Sequence, residues 1–203
     1  MTEILVERHW DTALTEADLM TAFGNAAVCL NIHRVDWSGS LLSADGHDLF
    51  CHFSAADAES VRIALQQSGS PRGLVWAGTV HDAPDFAPEI LAGTNTVAFW
   101  SFDAPAAPDQ VQAIEAAGAP ALLAHGVRHV RTYLSADRRR AAGLYRAPDV
   151  EAVSRALADA KRQPERVWAF RQFRPSPAEN NAAKAIGRAF PRWLPRWVQR
   201  LVG

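Results

Sequence analysis

The side chains of this sequence best suited to chemistry are histidines and a cysteine, concentrated in its first half. The candidates for metal ligation are Cys51, His33, His9 and His52. Imidazole nitrogen and thiolate sulfur suit nickel, zinc or copper. Cys51 and His52 are neighbours in a predicted strand, so they should point to opposite faces. A metal site would therefore join Cys51 to a histidine of another strand or subunit, and otherwise Cys51 is a small buried hydrophobe.

A second set of residues could line a ligand cavity between two sheets. It combines aromatic side chains with a carboxylate and an imidazole: Glu7, Trp37, Phe53, His129, Tyr133 and Tyr145. Aromatic walls with a few placed polar groups are typical of small-molecule sites. Glu7 or His9 would serve as a general base if it faced inward. The pattern predicts a ligand-binding protein or a cofactor-independent, oxygenase-like enzyme for a hydrophobic molecule, with plain core packing as the alternative.

A third candidate surface is the C-terminal segment 175–203, where basic residues recur at every fourth position. They are Lys184, Arg188, Arg192, Arg196 and Arg200, with tryptophan and aliphatic residues between them. On a helix this spacing gives a basic stripe beside an apolar face, interrupted at Pro191 and Pro195. The segment would bind a membrane surface or an acidic partner, or lie as an arm across its own protein or a dimer neighbour.

These candidates are positioned by an internal repetition. The tetrapeptide Leu42–Asp45 returns as Leu134–Asp137, and the offset of 92 residues holds without a gap from residue 30 to residue 77. Such self-similarity predicts a duplicated module. We therefore expect a first repeat over 1–81, a proline-containing linker over 82–95 and a second repeat over 96–174.

Each repeat has the pattern of strand, helix, strand, strand, helix, strand, which is the ferredoxin-like βαββαβ unit. The predicted class is α+β. A four-stranded sheet with both helices on one side leaves its other face uncovered, and that face must be buried. The two repeats should bury it against each other as a pseudo-dimeric α+β barrel or a sandwich. The alternative is that each half finds its partner in another chain, as in a homodimer.

Two recurring polar pairs have a structural explanation. His33 and His125 coincide at the offset, and each follows a helix and begins a strand, so a ring donating to a carbonyl at the junction would explain both. Asp45 and Asp137 recur at the hairpins, where a turn aspartate hydrogen-bonds its own backbone. The second hairpin carries Arg138 in place of Gly46, which predicts a longer turn or a turn of another type.

The segment Leu42–Phe53, followed by Ala55–Arg62 and Gly69–Pro71, resembles a family of small bacterial domains. These domains were long catalogued as of unknown function, and the family includes a nickel-binding, nickel-responsive protein with a ferredoxin-like fold. The resemblance implies the fold, and nickel as a cofactor. The second repeat has Gly143 opposite Cys51, so only the first half could use that cysteine.

Composition excludes several classes of protein. The formal net charge is −1, so no overall field recruits nucleic acid. Two cysteines are too few for a disulfide framework. Neither a signal peptide nor a run of roughly 18–20 apolar residues is present, and we expect a cytoplasmic protein.

Overall fold

The computed structural model describes residues 1–174, which form eight strands and five helices. The predicted element order is confirmed in both halves. The first half contains β1 (Thr2–His9), α1 (Glu16–Ile32), β2 (Asp36–Ser43), β3 (Asp48–Ala55), α2 (Ala58–Gln67) and β4 (Leu74–Asp82). The second contains β5 (Thr96–Ser101), α4 (Pro108–Ala124), β6 (Arg128–Ser135), β7 (Arg140–Arg146), α5 (Val150–Asp159) and β8 (Arg166–Phe173). Between them lies the short helix α3 (Pro88–Ala92).

The offset of 92 residues extends to the elements themselves. Matched elements begin at Asp36 and Arg128, at Asp48 and Arg140, at Ala58 and Val150, and at Leu74 and Arg166. The duplication itself stays a prediction about the history of the chain. The predicted C-terminal arm lies outside the described residues.

Local signals at the helix starts explain part of this agreement. Thr15 caps α1 in a capping box, since the Asp18 amide donates to Thr15 Oγ1 at 3.2 Å and the Thr15 amide donates to Asp18 Oδ2 at 2.9 Å. Asp57 and Asp149 cap α2 and α5 at matched positions. A cap satisfies backbone N–H groups that have no partner within the helix.

The two hairpins have the same turn, so the prediction of a different second turn is wrong. Ser43 Oγ donates to Asp45 Oδ1 at 2.5 Å, and Ser135 Oγ donates to Asp137 Oδ1 at 2.5 Å. Both aspartates also accept a backbone N–H two residues on, as predicted. Gly46 has φ +82° and Arg138 has φ +61°, so an arginine adopts the left-handed conformation that glycine adopts in the first hairpin.

All eight strands form one closed antiparallel barrel in the order β1-β3-β2-β8-β5-β7-β6-β4. Of the two predicted arrangements, the described residues form the barrel. The halves join where β2 pairs with β8 and β4 pairs with β6. The two joins are equivalent, since Ser43 pairs with Phe170 and, 92 residues away on each side, Ser135 pairs with Gly78.

Side chains pack into three clusters, one inside the barrel and one beneath each helix pair. The barrel interior is filled by apolar residues that include Leu5, Phe50, Trp76, Phe99 and Tyr133. An eight-stranded barrel is just wide enough for side chains to fill. The outer face of each half of the barrel packs under α1 and α2 or under α4 and α5. No helix among residues 1–174 is both long and apolar enough to cross a membrane.

Candidate functional site

The four predicted metal ligands lie in four different places. Cys51 is fully buried under the helices of the first half, where Ser40 Oγ donates to its sulfur at 2.9 Å. His52 lies on the opposite face, as predicted, and its ring packs against Tyr133 and pairs with Glu3. His9 is exposed and contacts Asp48.

His33 has the structural role that the repetition predicts, with a different acceptor. His33 Nε2 donates to Gln67 Oε1 at 2.8 Å, and His125 Nε2 donates to Asp159 Oδ2 at 2.7 Å. Each ring links the end of one helix to the end of the other in its half. Among residues 1–174, no three histidine, cysteine, aspartate or glutamate side chains form a group that could hold a metal ion. The prediction of a metal site, nickel included, has no support in this arrangement.

The six predicted cavity residues do not share one cavity, which corrects that prediction. Glu7 and Tyr133 belong to the barrel interior, where Glu7 accepts from Trp76 Nε1 at 2.9 Å. Trp37 and Phe53 pack under α1, and Tyr145 packs under α4 and α5. The reason is strand periodicity, because a sheet with helices on its outside has two buried faces and alternate residues belong to different faces.

His129, the sixth residue, lines a cavity in the second half of the chain. This space, the α4–β6 cavity, has a volume of about 670 Å³ and lies between helix α4, strand β6 and the segment after β4. Val111, Ala116, Ala119 and Leu122 form its helical wall, and the Asp85–Arg128 ion pair stands at its rim. Pockets that bind small molecules have volumes of this order.

The carboxylate of a buried ion pair borders the α4–β6 cavity. Glu115, on the buried face of α4, is 8 % exposed, and both of its carboxylate oxygens accept hydrogen bonds of 2.7 Å from the Arg162 guanidinium. Arg162 also lies over the Trp100 ring at 4.6 Å and within 3.5 Å of the Tyr145 hydroxyl. The fork of the guanidinium matches a carboxylate in two parallel bonds, so the charge of Glu115 is neutralised within the protein.

His129 reaches the same carboxylate through a hydroxyl. The ring lies 2.8 Å from Thr132 Oγ1, and Thr132 Oγ1 donates to Glu115 Oε1 at 3.5 Å. With the Thr132 hydroxyl hydrogen directed at Glu115, the hydroxyl oxygen is left to accept a hydrogen bond from the ring. Burial lowers the pKa of His129 below its ordinary value, although the Glu115 carboxylate acts in the opposite direction. The cavity wall therefore carries a neutral imidazole at pH 7.

The first half has an aromatic core at the matched positions. Ninety-two residues before Glu115, His129 and Tyr145 stand Phe23, Trp37 and Phe53. The Phe23 and Trp37 rings stack with centroids 3.7 Å apart, and Phe23 also contacts Phe53. Trp37 Nε1 donates to Ser40 Oγ at 3.0 Å, which reproduces the contact of His129 with Thr132. The same backbone thus holds a packed aromatic cluster in one half and a polar cluster beside a cavity in the other.

Sequence reasoning missed Glu115, Thr132 and Arg162. A signal for Glu115 was present in the repetition. The buried face of α1 has Leu19, Phe23, Ala26 and Leu30, and the matched face of α4 has Val111, Glu115, Gly118 and Leu122. A carboxylate at a position that is otherwise apolar indicates a buried partner. Arg162 gave no comparable signal, since it follows α5 in a segment between elements.

Comparison with known proteins gives no family for this chain, because no protein-family model and no curated protein matches it. Three solved structures with a similar path of the backbone are a siroheme decarboxylase bound to an iron-uroporphyrin III analogue, a candidate chlorite dismutase, and a candidate monooxygenase from Lactobacillus acidophilus. The decarboxylase has 11 % identity and a TM-score of 0.48, over 93 % of this chain and 79 % of its own. The chlorite dismutase has 16 % identity and a TM-score of 0.45 over 94 % and 98 %. The monooxygenase has 9 % and 0.42 over 85 % and 94 %. The resemblance to a nickel-responsive family finds no support here.

Proposed function

We propose that this protein binds a small, largely apolar molecule in the α4–β6 cavity. The observation that carries the proposal is the exchange of the aromatic pair Phe23 and Trp37 for Glu115 and His129 between the halves. In the first half Phe23 and Trp37 stack between helix and sheet, and in the second half Glu115 and His129 border a cavity of about 670 Å³. This is a different place from the barrel interior, where the cluster that includes Phe50, Phe99 and Tyr133 packs.

Stability alone does not explain the polar arrangement. A space left between helix and sheet forfeits packing, and the cost rises with its volume. A buried ion pair is often no better for stability than apolar residues of the same size. The first half shows that an apolar solution is available on the same backbone. A bound ligand that fills the space and uses the polar groups would offset both costs.

The cavity walls define the ligand class. Ala116 and Ala119 give α4 a flat wall, and Val111, Leu122 and Val127 add apolar surface, which favours a planar apolar body. His129 and Thr132 lie on the wall beside Glu115 and favour a hydroxyl or carbonyl group on the ligand. At the rim, Arg128 pairs with the more exposed Asp85, and it could instead contact an acidic group of the ligand.

A second candidate function is enzymatic proton transfer in the same cavity. The specific observation is the series of hydrogen bonds from His129 through Thr132 to Glu115, which holds a neutral, largely buried imidazole in the cavity wall. A neutral imidazole accepts a proton from a bound hydroxyl or an acidic C–H, and the Glu115 carboxylate stabilises the resulting imidazolium. Binding is the primary proposal because it requires only the cavity, whereas proton transfer requires a reacting ligand as well.

The test is saturable binding of two probes with planar apolar bodies and acidic groups, 1-anilinonaphthalene-8-sulfonate and iron protoporphyrin. We expect Ala119→Phe, which fills the cavity from α4, to weaken binding by at least about tenfold. Ala27→Phe is the matched control, because Ala27 lies 92 residues earlier on α1. It should bind both probes as the wild type does. Equal binding by Ala119→Phe and the wild type, or equal loss in both variants, would refute the proposal.

A further inference from the structure

A second, smaller cavity occurs once in each half, at matched positions. In the second half it has a volume of about 390 Å³ and is bordered by Trp100, Glu115 and Arg162. In the first half it has a volume of about 190 Å³ and is bordered by Arg8, Phe23 and Ser70. Every residue lining the second-half cavity has its counterpart, 92 residues earlier, in the lining of the first. We call the first-half space the Arg8 cavity.

Each cavity contains one buried guanidinium, but only one of them is paired. In the second half Arg162 has the Glu115 carboxylate. In the first half Ser70 stands at the position matched to Arg162, and Phe23 at the position matched to Glu115. The guanidinium of the first-half cavity comes instead from Arg8 on β1. Arg8 is 9 % exposed, and its Nε is fully buried without a hydrogen-bond partner. Its guanidinium forms no ion pair with any residue of the described chain, 1–174.

Neighbouring ionisable groups do not provide the missing charge. Cys51 is the group that interacts with Arg8, but complete burial raises the pKa of its thiol, which is therefore neutral. Asp18 lines the cavity, yet its carboxylate already accepts from the Thr15 amide at 2.9 Å and from the Thr15 hydroxyl at 2.7 Å. An unpaired charge away from water is costly, and burial accordingly lowers the pKa of Arg8.

The backbone holds Arg8 in this position. A Cβ atom on Gly73 would lie 2.7 Å from Arg8 Cγ and 2.7 Å from the Glu7 carbonyl oxygen, so only glycine lets the chain pass this close to the Arg8 stem. Hydroxyl groups of Ser68 and Ser70 and the amide of Asn25 also border the cavity, as do apolar side chains such as Trp10 and Leu14.

We propose that the Arg8 cavity binds a small carboxylic acid with an apolar body, whose carboxylate pairs with the Arg8 guanidinium as the Glu115 carboxylate pairs with Arg162. The planar guanidinium fork recognises a carboxylate by paired hydrogen bonds. Asp18 at the wall favours a ligand with a single negative charge, and the apolar lining favours a hydrocarbon body. The volume of about 190 Å³ limits that body to a few carbon atoms or one ring. This site is separate from the α4–β6 cavity.

The test compares thermal unfolding in sodium benzoate, in sodium chloride at equal ionic strength and in benzamide, the uncharged analogue. We expect benzoate alone to raise the unfolding midpoint of the wild type, by roughly 5–10 °C at about 100 times its Kd. Sodium phosphate is a further arm, and a larger shift with phosphate than with benzoate would overturn the carboxylate assignment.

Two variants locate the effect. Arg8→Met should lose the benzoate shift and should unfold no earlier than the wild type without ligand, because it removes an unpaired buried charge. Phe23→Glu introduces a carboxylate into the lining of the Arg8 cavity, where it should compete with benzoate for the guanidinium, so it should also lose the benzoate shift, even if Arg8→Met fails to fold. The proposal is overturned if the wild type shows no benzoate-specific shift, or if the shift persists in either variant. Neither result bears on probe binding in the α4–β6 cavity, which Ala119→Phe tests separately.

Discussion

The two halves of this barrel differ most where each sheet meets its own helices. Under α1 the core is aromatic, with Phe23 stacked on Trp37. Under α4 the matched residues are Glu115 and His129, beside an open cavity. Both halves keep a hydrogen bond to the hydroxyl group three residues later in the chain, between Trp37 and Ser40 in the first half and between His129 and Thr132 in the second. The same backbone therefore accommodates either a packed aromatic core or a polar cluster beside a cavity. Folding alone does not explain why the second half has polar residues at these positions.

The two halves also differ in how their buried guanidinium group is paired. The second half buries a guanidinium together with its carboxylate, and the first half buries a guanidinium whose carboxylate position is a phenyl ring. The second half therefore pairs its buried charges beside the larger cavity, and the first half stacks its aromatic rings but leaves its buried guanidinium without an ion pair among residues 1–174. Four experiments test this difference between the halves.

The largest effect is expected from breaking the paired guanidinium. Arg162→Met leaves the Glu115 carboxylate buried and unpaired, so the free energy of unfolding should fall by about 3–5 kcal/mol in urea denaturation. Adding Glu115→Leu to the same chain should recover most of the loss, because the two removed charges compensated each other. A loss below about 1 kcal/mol in the single variant would mean that the ion pair is not effectively buried.

The aromatic side of the comparison is tested by Phe23→Ala. The ring is 7 % exposed and packs against Trp37 and Phe53, so its removal should cost about 3 kcal/mol through lost burial and an unfilled space. Tyr145→Phe in the second half is the contrasting change, since the hydroxyl has only a 3.5 Å contact with Arg162, and it should cost about 1 kcal/mol or less. Equal losses would mean that the two cores are equally packed.

The hairpins give a smaller contrast. Gly46→Ala forces a Cβ into a left-handed turn and to within 2.6 Å of the Leu14 carbonyl oxygen, so it should cost about 2 kcal/mol. Arg138 already bears a side chain at the matched position, and Arg138→Gly should change stability by about 1 kcal/mol or less. Thermal unfolding of the two variants distinguishes a turn that requires glycine from one that tolerates arginine.

The dependence of stability on pH should be the smallest of these differences. The pKa of His129 is lowered in the folded protein by burial, so below the ordinary value of 6.5 the unfolded chain binds more protons than the folded one. Stability from this group is complete above pH 6.5 and declines as the pH falls below it. His129→Gln should reduce the decline, and part should remain because burial also lowers the pKa of His52. An identical pH profile would mean that His129 is solvated.

Much of the fold could be predicted from local pattern and repetition. Thr15, Asp57 and Asp149 mark helix starts because capping depends on residues three positions apart. The offset of 92 residues gave the second half its elements once the first was assigned. The candidate site was predicted poorly, since Trp37, Phe53 and Tyr145 were expected between the sheets and lie beneath helices instead.

The sequence by itself determined the order of strands and helices, the caps, the turn aspartates and the place of each residue in one of two matched halves. Tertiary structure decided which face of each strand meets a helix, and it brought Arg162 to Glu115 across 47 residues and left Arg8 Nε without a hydrogen-bond partner among residues 1–174. The physical reason is the separation along the sequence over which each interaction acts. Caps and turns act between residues a few positions apart, whereas charge pairing and cavity volume depend on how distant segments fit together, and a period of two in a strand does not say which of two buried faces is which.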